Sequence, residues 1–513
     1  MSSQAGSTER VDAVTFSNDD IEDCRNWSKG KKNFVTFQVA MLCFAAGFGS
    51  PLFAPAEIQL IERFHVNQET ADSGLAVFVL GFSFGPLFCS PMSELYGRRL
   101  PYLISWPLLI VCTIPSAFAN NVAVIIVFRF LSGCFAACAS NNGFGLLNDL
   151  FNHDVQARNV AMAWVTIAFC AGPCLSLPIG FFVVADAGPN FWILRMYFIF
   201  TACLLPLVLA LPETHGPTIL ANRSKKMRKS GILNARAAHE SQHLTVRQIY
   251  ATHVLRPALM AIREPIVQGS SIWMTLTTAL IYLFFEIYPT VFLQQHNFSL
   301  QLVGLPFLSL FIGFFMGIIL MPILTKIILP MRFPSFLQPP NVTPTSPEAI
   351  MKVSLIACAL MPVSLFWFAW TSGAGVHWIV PTLSGIPFAI STLLITLTFV
   401  NYLSHTYTIY TNSAGACTSF FRSIIGAVLT ISSHKILSSL GSKWGVSLFG
   451  FLSLGLLPIP MIFLRFGESM RAKSYYAREA SSIVANMKKT EQMAGLEDAS
   501  EKPASLTSAL NEV

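Results

Sequence analysis

Ser90-Pro-Met-Ser-Glu-Leu-Tyr-Gly-Arg-Arg99 carries one acid, one glycine and two adjacent arginines between two apolar stretches, 72–92 and 101–119. Each stretch has the roughly 20 residues that an α-helix needs to cross about 30 Å of hydrocarbon. A turn this short and basic between two such helices belongs on the membrane face where Lys and Arg accumulate, the cytoplasmic one. Gly97 permits the reversal, while Glu94, Arg98 and Arg99 can pair with helix ends or nearby carboxylates and exchange partners as helices move. The alternative reading of the same arginines is a plain topological anchor.

Apolar blocks and charged breaks alternate outward from this turn. They predict spans at 34–54, 72–92, 101–119, 122–146, 160–184 and 192–211, and again at 269–293, 301–324, 351–370, 378–402, 410–436 and 444–466. The expected fold is an all-α membrane protein of twelve transmembrane helices in two six-helix halves. Its divisions are a tail at 1–33, a first half at 34–211, a basic linker at 212–268, a second half at 269–466 and a tail at 467–513. The linker holds Arg223, Lys225, Lys226, Arg228, Lys229, Arg236, Arg247, Arg256 and Arg263, so it reads as cytoplasmic. An even number of spans then places both termini in the cytosol, beside Lys29, Lys31 and Lys32 at one end and Arg465, Arg471, Lys473 and Arg478 at the other.

Composition excludes several function classes. A chain of 513 residues that is 53% hydrophobic and 12% charged is not a water-soluble globule. Its net charge of +7 gathers in loops, which argues for membrane topology and against a nucleic-acid partner. The opening MSSQAGSTERVDAVTFSNDD lacks an apolar stretch and a cleavage site, so no cleaved signal peptide is expected. Cys24 lies in a polar segment, whereas Cys43, Cys134, Cys138 and Cys170 lie within spans, and neither disulfide nor zinc spacing is present. With His153, His253, His405 and His434 scattered, and with no nucleophile–base pair or phosphate-binding loop, an enzyme or an ATP-driven pump is not expected, and neither a cofactor nor a metal is implied.

Charges inside the spans carry the functional information, because each costs roughly 2.5–3.5 kcal/mol at mid-bilayer on insertion scales. Thr275, Thr278, Tyr282 and Glu286 follow helical steps of three and four, forming a polar stripe expected to line a central cavity. Glu286 is the candidate proton-coupling or substrate-contacting carboxylate, with a structural partner for a buried arginine or tyrosine as the alternative. Arg422 extends a second stripe through Asn412, Gly415 and Ser419. Arg129 stands above a narrow face of Gly133, Ala136, Ser140 and Gly143. Either arginine can bind an anionic or oxygen-rich substrate, or satisfy a buried carboxylate. Glu57 and Arg195, near helix ends, read as side chains that snorkel to water.

The Ser90–Arg99 turn resembles the loop signature of the major facilitator superfamily, a glycine, an acid and a closing Gly-Arg-Arg, although Ser90 and Leu95 replace its first glycine and a usual basic residue. Asn26-Trp27-Ser28, Leu211-Pro-Glu-Thr-His-Gly-Pro-Thr-Ile-Leu220, Phe285-Glu-Ile-Tyr-Pro289, Leu365-Phe-Trp-Phe-Ala-Trp-Thr371 and Val376-His-Trp-Ile-Val-Pro381 extend the resemblance over residues 26–480 to its fungal twelve-span drug:proton antiporters. Gly172-Pro173 with Pro178 and Gly180 resembles the antiporter motif of the fifth helix. Ala168, Ser176 and Phe181 stand where glycine is usual, and close helix packing explains the segment equally well. Arg129-Phe-Leu-Ser-Gly133 resembles the fourth-helix arginine associated with proton coupling, and Asp149 matches a family acid that pairs with loop arginines.

This resemblance implies two parallel halves that rock about a central site. It also implies proton-coupled efflux of a small organic molecule, such as a secondary metabolite, a xenobiotic or a small organic acid. Polyamine export, or uptake on the same fold, is the alternative. A polycation calls for several cavity acids, and Glu286 is the one mid-helix acid apparent from sequence. The expected partners are substrate, protons and the lipid bilayer, with a monomer in the plasma membrane.

Overall fold

The computed structural model describes residues 12–13, 16, 20–151, 154–187, 192–230, 235–236, 252, 255–334, 343 and 346–483. In the first half the helices are α1 (Lys29–Gly49), α2 (Ala54–Phe64), α3 (Gln68–Tyr96), α4 (Arg99–Phe118), α5 (Val122–Leu150), α6 (Val155–Ala187), α7 (Trp192–Cys203) and α8 (Leu205–Leu209). Two helices, α9 (Gly216–Lys229) and α10 (Arg256–Arg263), lie where the sequence suggested only a basic loop. The second half holds α11 (Pro265–Gln294), α12 (Leu308–Ile328), α13 (Met351–Thr371), α14 (Ile379–Leu383), α15 (Gly385–Tyr407), α16 (Thr411–Leu456) and α17 (Pro458–Lys473).

Ten of these helical segments are long and apolar enough to cross a membrane unbroken. An eleventh is a broken span, α1 and α2, bent by 41° at Pro51–Phe53. The segment Ser413–Lys473 has 61 residues, which at 1.5 Å each is about 90 Å, three hydrocarbon thicknesses. Its helix breaks at Gly441, where φ is 70° and ψ 170°, so the segment has the length for two crossings, which makes twelve among the described residues. Prolines 86, 91, 107, 115, 173, 178, 289, 322 and 362 lie inside helices, as neighbouring helices in a membrane bundle permit.

Packing reveals the internal repeat that the sequence shows only weakly. In the first half, α1 packs on α6, α3 on α5 and α4 on α5; in the second, α11 packs on α16, α12 on α15 and α13 on α15. Counted as spans, these pairs are one–five, two–four and three–four, then seven–eleven, eight–ten and nine–ten, the same set advanced by six. The halves meet along α3 with α16 and α6 with α12. Those interfaces, two–eleven and five–eight, exchange when the halves are exchanged. Away from these contacts, Phe88, Trp164, Val363 and Phe451 stand exposed on the outer surface, as a lipid-facing side requires.

Outside the spans, β1 (Asp12–Ala13) pairs in parallel with β2 (Ala235–Arg236), and Asp20 forms an ion pair with Arg223 of α9. The segment before the first helix is thus tied to the linker between the halves.

Candidate functional site

At one end of the bundle the Ser90–Arg99 turn closes a dense polar network. Helix α3 ends at Gly97, whose φ of 97° and ψ of 168° suit only glycine, and α4 begins with no side-chain cap of its own. Glu213, from the Pro212-Glu-Thr-His segment after α8, supplies the cap: its Oε1 accepts from the backbone N–H of Arg98 at 2.8 Å and its Oε2 from that of Arg99 at 3.2 Å. The same Oε1 accepts from the N–H groups of Thr214 and His215, each at 2.9 Å. A Cβ on residue 97 would strike this carboxylate, so the glycine answers both the backbone turn and the incoming acid. Glu213 was not assigned from sequence, where it stands as one acid in a loop.

Arg98 reaches the other way, its Nε donating to Asp149 Oδ2 at 2.8 Å and its Nη1 to Ser93 Oγ at 3.0 Å. Asn142 hydrogen-bonds Ser93 and donates to the Arg98 carbonyl at 2.7 Å. Arg99 donates to the Leu209 carbonyl at 3.1 Å, and Glu94 stands half-buried one turn before Arg98. Cys24 completes the cluster from the N-terminal side, donating to the Thr214 carbonyl at 3.3 Å and the Asp149 carbonyl at 3.4 Å. Burial first, then Asp23 and Asp149, push its thiol up to about 12. Turn, fourth span and linker entry are therefore one unit.

The polar stripes of the seventh and eleventh spans converge at mid-bundle. Tyr282 lies against Gly426 of α16, and its hydroxyl accepts from Ser50 Oγ at 3.4 Å across the interface between halves. Arg422, four residues before Gly426, is half-buried within electrostatic reach of Tyr282 and of Cys170 on α6. Among the described residues it makes no hydrogen bond or ion pair. Thr278 is half-buried and donates to its own helix at the Met274 carbonyl. Asn412 lies on α16, and its side chain is outside the described residues.

Arg129 is held away from this stripe. Its Nε donates to the Gly74 carbonyl at 3.1 Å, Nη1 to Gly49 at 2.9 Å and Nη2 to Ser50 at 3.1 Å, with Phe53 and Phe78 under the guanidinium. At 2% exposure it caps the carbonyls freed where α1 breaks before Pro51. In the fifth span, Gly172 abuts the α1 backbone at Phe44 and Gly47, Pro173 touches the Gly47 position, Gly180 packs under Pro55 and Ile193, and Pro178 meets Gly304 of the second half. This motif is a packing seam between α6, α1 and the partner half.

Glu286 sits at the opposite end of the bundle from Arg98, 4% exposed, with Asp72 and His434 as neighbours. Asp72 was missed because the sequence reading began the second span at that residue. The helix starts at Gln68, which places Asp72 a turn inside. Glu57 does not snorkel: it is 4% exposed, because α2 turns it inward against α3. The acid count from sequence is thereby corrected, since three buried carboxyls, not one, lie at this end.

Two halves related by a shift of six spans, meeting along two equivalent interfaces, form the repeat architecture of a secondary membrane transporter. Residues 39–430 match the Major Facilitator Superfamily. The MFS-type transporter traF of Penicillium crustosum is 32% identical over 89% of this chain and 92% of its own length. The citrinin biosynthesis cluster MFS transporter mrr1 of Monascus ruber is 32% identical over 88% and 89%, and the major facilitator superfamily multidrug transporter mdrA of Aspergillus fumigatus 29% identical over 95% and 79%. Among solved structures, the proton:xylose symporter XylE superposes with a TM-score of 0.60 at 15% identity over 85% of this chain and 97% of that one. The human organic anion transporter MFSD10 gives 0.55 at 15% identity over 84% and 99%. The chain belongs to the Major Facilitator Superfamily and is a secondary transporter, not an enzyme.

Proposed function

We propose that this protein exports a small organic molecule, anionic or neutral and oxygen-rich, in exchange for protons by alternating access. Arg422 carries the reading: a half-buried guanidinium between the halves, beside the Tyr282 stripe, makes no ion pair among the described residues. An unpaired charge at that depth is costly unless a ligand or water meets it, and a planar guanidinium matches a carboxylate or a pair of oxygens. Glu286, four residues from Tyr282 on the same helix face, is the coupling acid, since it is a carboxyl buried within a span and close to His434 of α16. Export as the direction is supported by relatives whose names describe efflux pumps and transporters of biosynthetic clusters.

The arginine end is the cytoplasmic one in this reading, with both termini and the 212–268 linker on that side, because Lys and Arg concentrate there. Arg98, Arg99, Asp149, Gly97 and Glu94 then form the cytoplasmic latch, rearranging as the halves rock. The protein acts as a monomer in the plasma membrane.

A second reading, an organic cation such as a polyamine, gains support from the acid cluster of Glu57, Asp72 and Glu286. Proteoliposomes with an imposed pH gradient separate the two. Carboxyfluorescein, a neutral dye and spermidine are followed in parallel. Gradient-driven flux of the anion or the neutral dye, abolished in Glu286→Gln at equal protein in the membrane, is expected. Flux indifferent to the gradient sinks proton coupling, and gradient-driven flux of spermidine alone moves the substrate to the cationic class. Arg422→Gln is expected to remove anion flux while leaving protein yield unchanged.

A further inference from the structure

Phe118 closes α4 and Trp192 opens α7 at the end of the bundle away from the Ser90–Arg99 turn. The two helices pack on each other, and both rings stand exposed on the outer surface. Between them lies Arg195, its Cζ 5.0 Å from the Phe118 ring centroid and 5.3 Å from that of Trp192. Its side chain is half-buried and its Nε fully buried, and among the described residues it meets neither an acid nor a hydrogen-bond acceptor.

A guanidinium that snorkels turns its nitrogens to water, whereas this one keeps Nε away from it. Arg195 also lies in the first turn of α7, where the helix dipole is positive and unpaired backbone N–H groups add to the demand for an anion. Towards the membrane centre the surface changes character. Ile114 of α4 and Ile199 of α7 are exposed one turn further in, and Val111 of α4 a turn beyond. A cation that lacks an acceptor therefore stands at the head of an apolar track.

The second half repeats the arrangement on spans nine and twelve, the counterparts of three and six. Trp370 of α13 meets Trp444 of α16 with ring centroids 6.1 Å apart, just past the helix break at Gly441. Lys443 is exposed in the first turn after that break, and it too has no acid among the described residues. Below the tryptophans, Phe366 lies against Gly450 and Phe451 and joins the two helices, while Val363 and Leu448 continue the exposed apolar track.

We propose that each half carries a phospholipid site at this end, with the lipid phosphate on Arg195 in the first half and on Lys443 in the second, and an acyl chain along the track below. A phosphodiester supplies the acceptor that each cation lacks, and its oxygens match the donors of a guanidinium. Basic positions between transmembrane helices recognise lipid head groups, and exposed tryptophans sit at the level of those groups. A free phosphate ion would meet the cation alone. Only a lipid joins that charge to a chain lying on Ile114 and Ile199. Neither site touches the seam between the halves or the arginine-end network, so the proposal stands apart from the transport reading.

Native mass spectrometry of the full-length protein, delipidated in detergent and supplied with dioleoylphosphatidylcholine, counts the lipids retained. Two per chain are expected in wild type, one in Arg195→Gln, one in Lys443→Gln and none in the double variant. Dioleoylglycerol, which has the same chains and no phosphate, should not be retained, and excess inorganic phosphate should displace nothing. Ile199→Ser keeps the arginine and interrupts the track, so it should show the loss of the same lipid even where Arg195→Gln does not fold. Equal lipid counts in wild type and in the double variant overturn the proposal. Retention of dioleoylglycerol to the same extent also overturns it, in favour of acyl-chain contact alone. Displacement by inorganic phosphate does so in favour of two sites for a free anion.

Discussion

The two ends of this bundle use acids in opposite ways. At the arginine end, Asp149 meets Arg98, Glu348 accepts from Arg471 at 2.7 Å, Glu264 accepts from the Tyr407 hydroxyl at 3.0 Å, and Glu213 caps the start of α4. Each of these contacts lies within one half or between a half and its flanking segment. At the other end, Glu57, Asp72 and Glu286 keep oxygens that accept nothing, and their neighbours come from both halves. Satisfied charges thus lie within each half, while carboxyl oxygens without a donor lie at the seam between halves. A rocking transporter needs both, stiff bodies and a contact that can be switched.

Substitutions should therefore have unlike effects at the two ends. The largest is expected at the turn: Gly97→Ala places a side chain at φ 97° and ψ 168° and drives its Cβ into Glu213, a loss of about 3 kcal/mol. It should show as a lower melting temperature and a smaller monodisperse fraction in detergent. Next, Glu213→Ala strips the acceptor from four backbone N–H groups in a half-exposed site, at about 2 kcal/mol. By contrast, Glu57→Gln at the acid end should leave the melting temperature unchanged or raise it. Equal destabilisation by the two would erase the contrast.

The smallest effect is expected at the ion pair between Asp20 and Arg223. Hydrogen bonding to the Arg223 guanidinium holds the Asp20 carboxyl below its usual range, so the contact persists above the ordinary aspartate pKa and is lost as pH falls through the lowered value. Arg223→Gln should release the N-terminal segment at neutral pH, seen as faster proteolysis before Ser28 with transport unchanged. Slower transport would tie that segment to the arginine-end latch.

Much of the architecture could be read directly from the chain. Apolar length sets the spans and loop charge their direction, and both are local properties that need no partner. The bend of the first span was legible at Pro51 and Pro55 only after the helices were seen, since prolines also lie within many continuous helices here, whereas the break at Gly441 falls in the 437–443 gap that the sequence reading places between its last two spans. Glu286 and Arg422 stood out because a charge within an apolar run is conspicuous by itself. Asp72 did not, because a shift of four residues in a helix start moves an acid from the interface to the interior, and Glu57 was read as snorkelling because the packing of α2 against α3 that buries it is not a local property.

By itself the sequence determined the membrane class, the twelve crossings in two halves, the basic turn at Ser90–Arg99 and the polar faces of the seventh and eleventh spans. Tertiary structure decided which of those faces meet. Only the packing of α3 on α16 brings Gln68 to His434, 366 residues away, and only the return of the segment after α8 brings Glu213 under Gly97. Periodicity says which side of a helix is polar, but the choice of neighbour is made by the summed fit of many distant side chains, which no local stretch encodes.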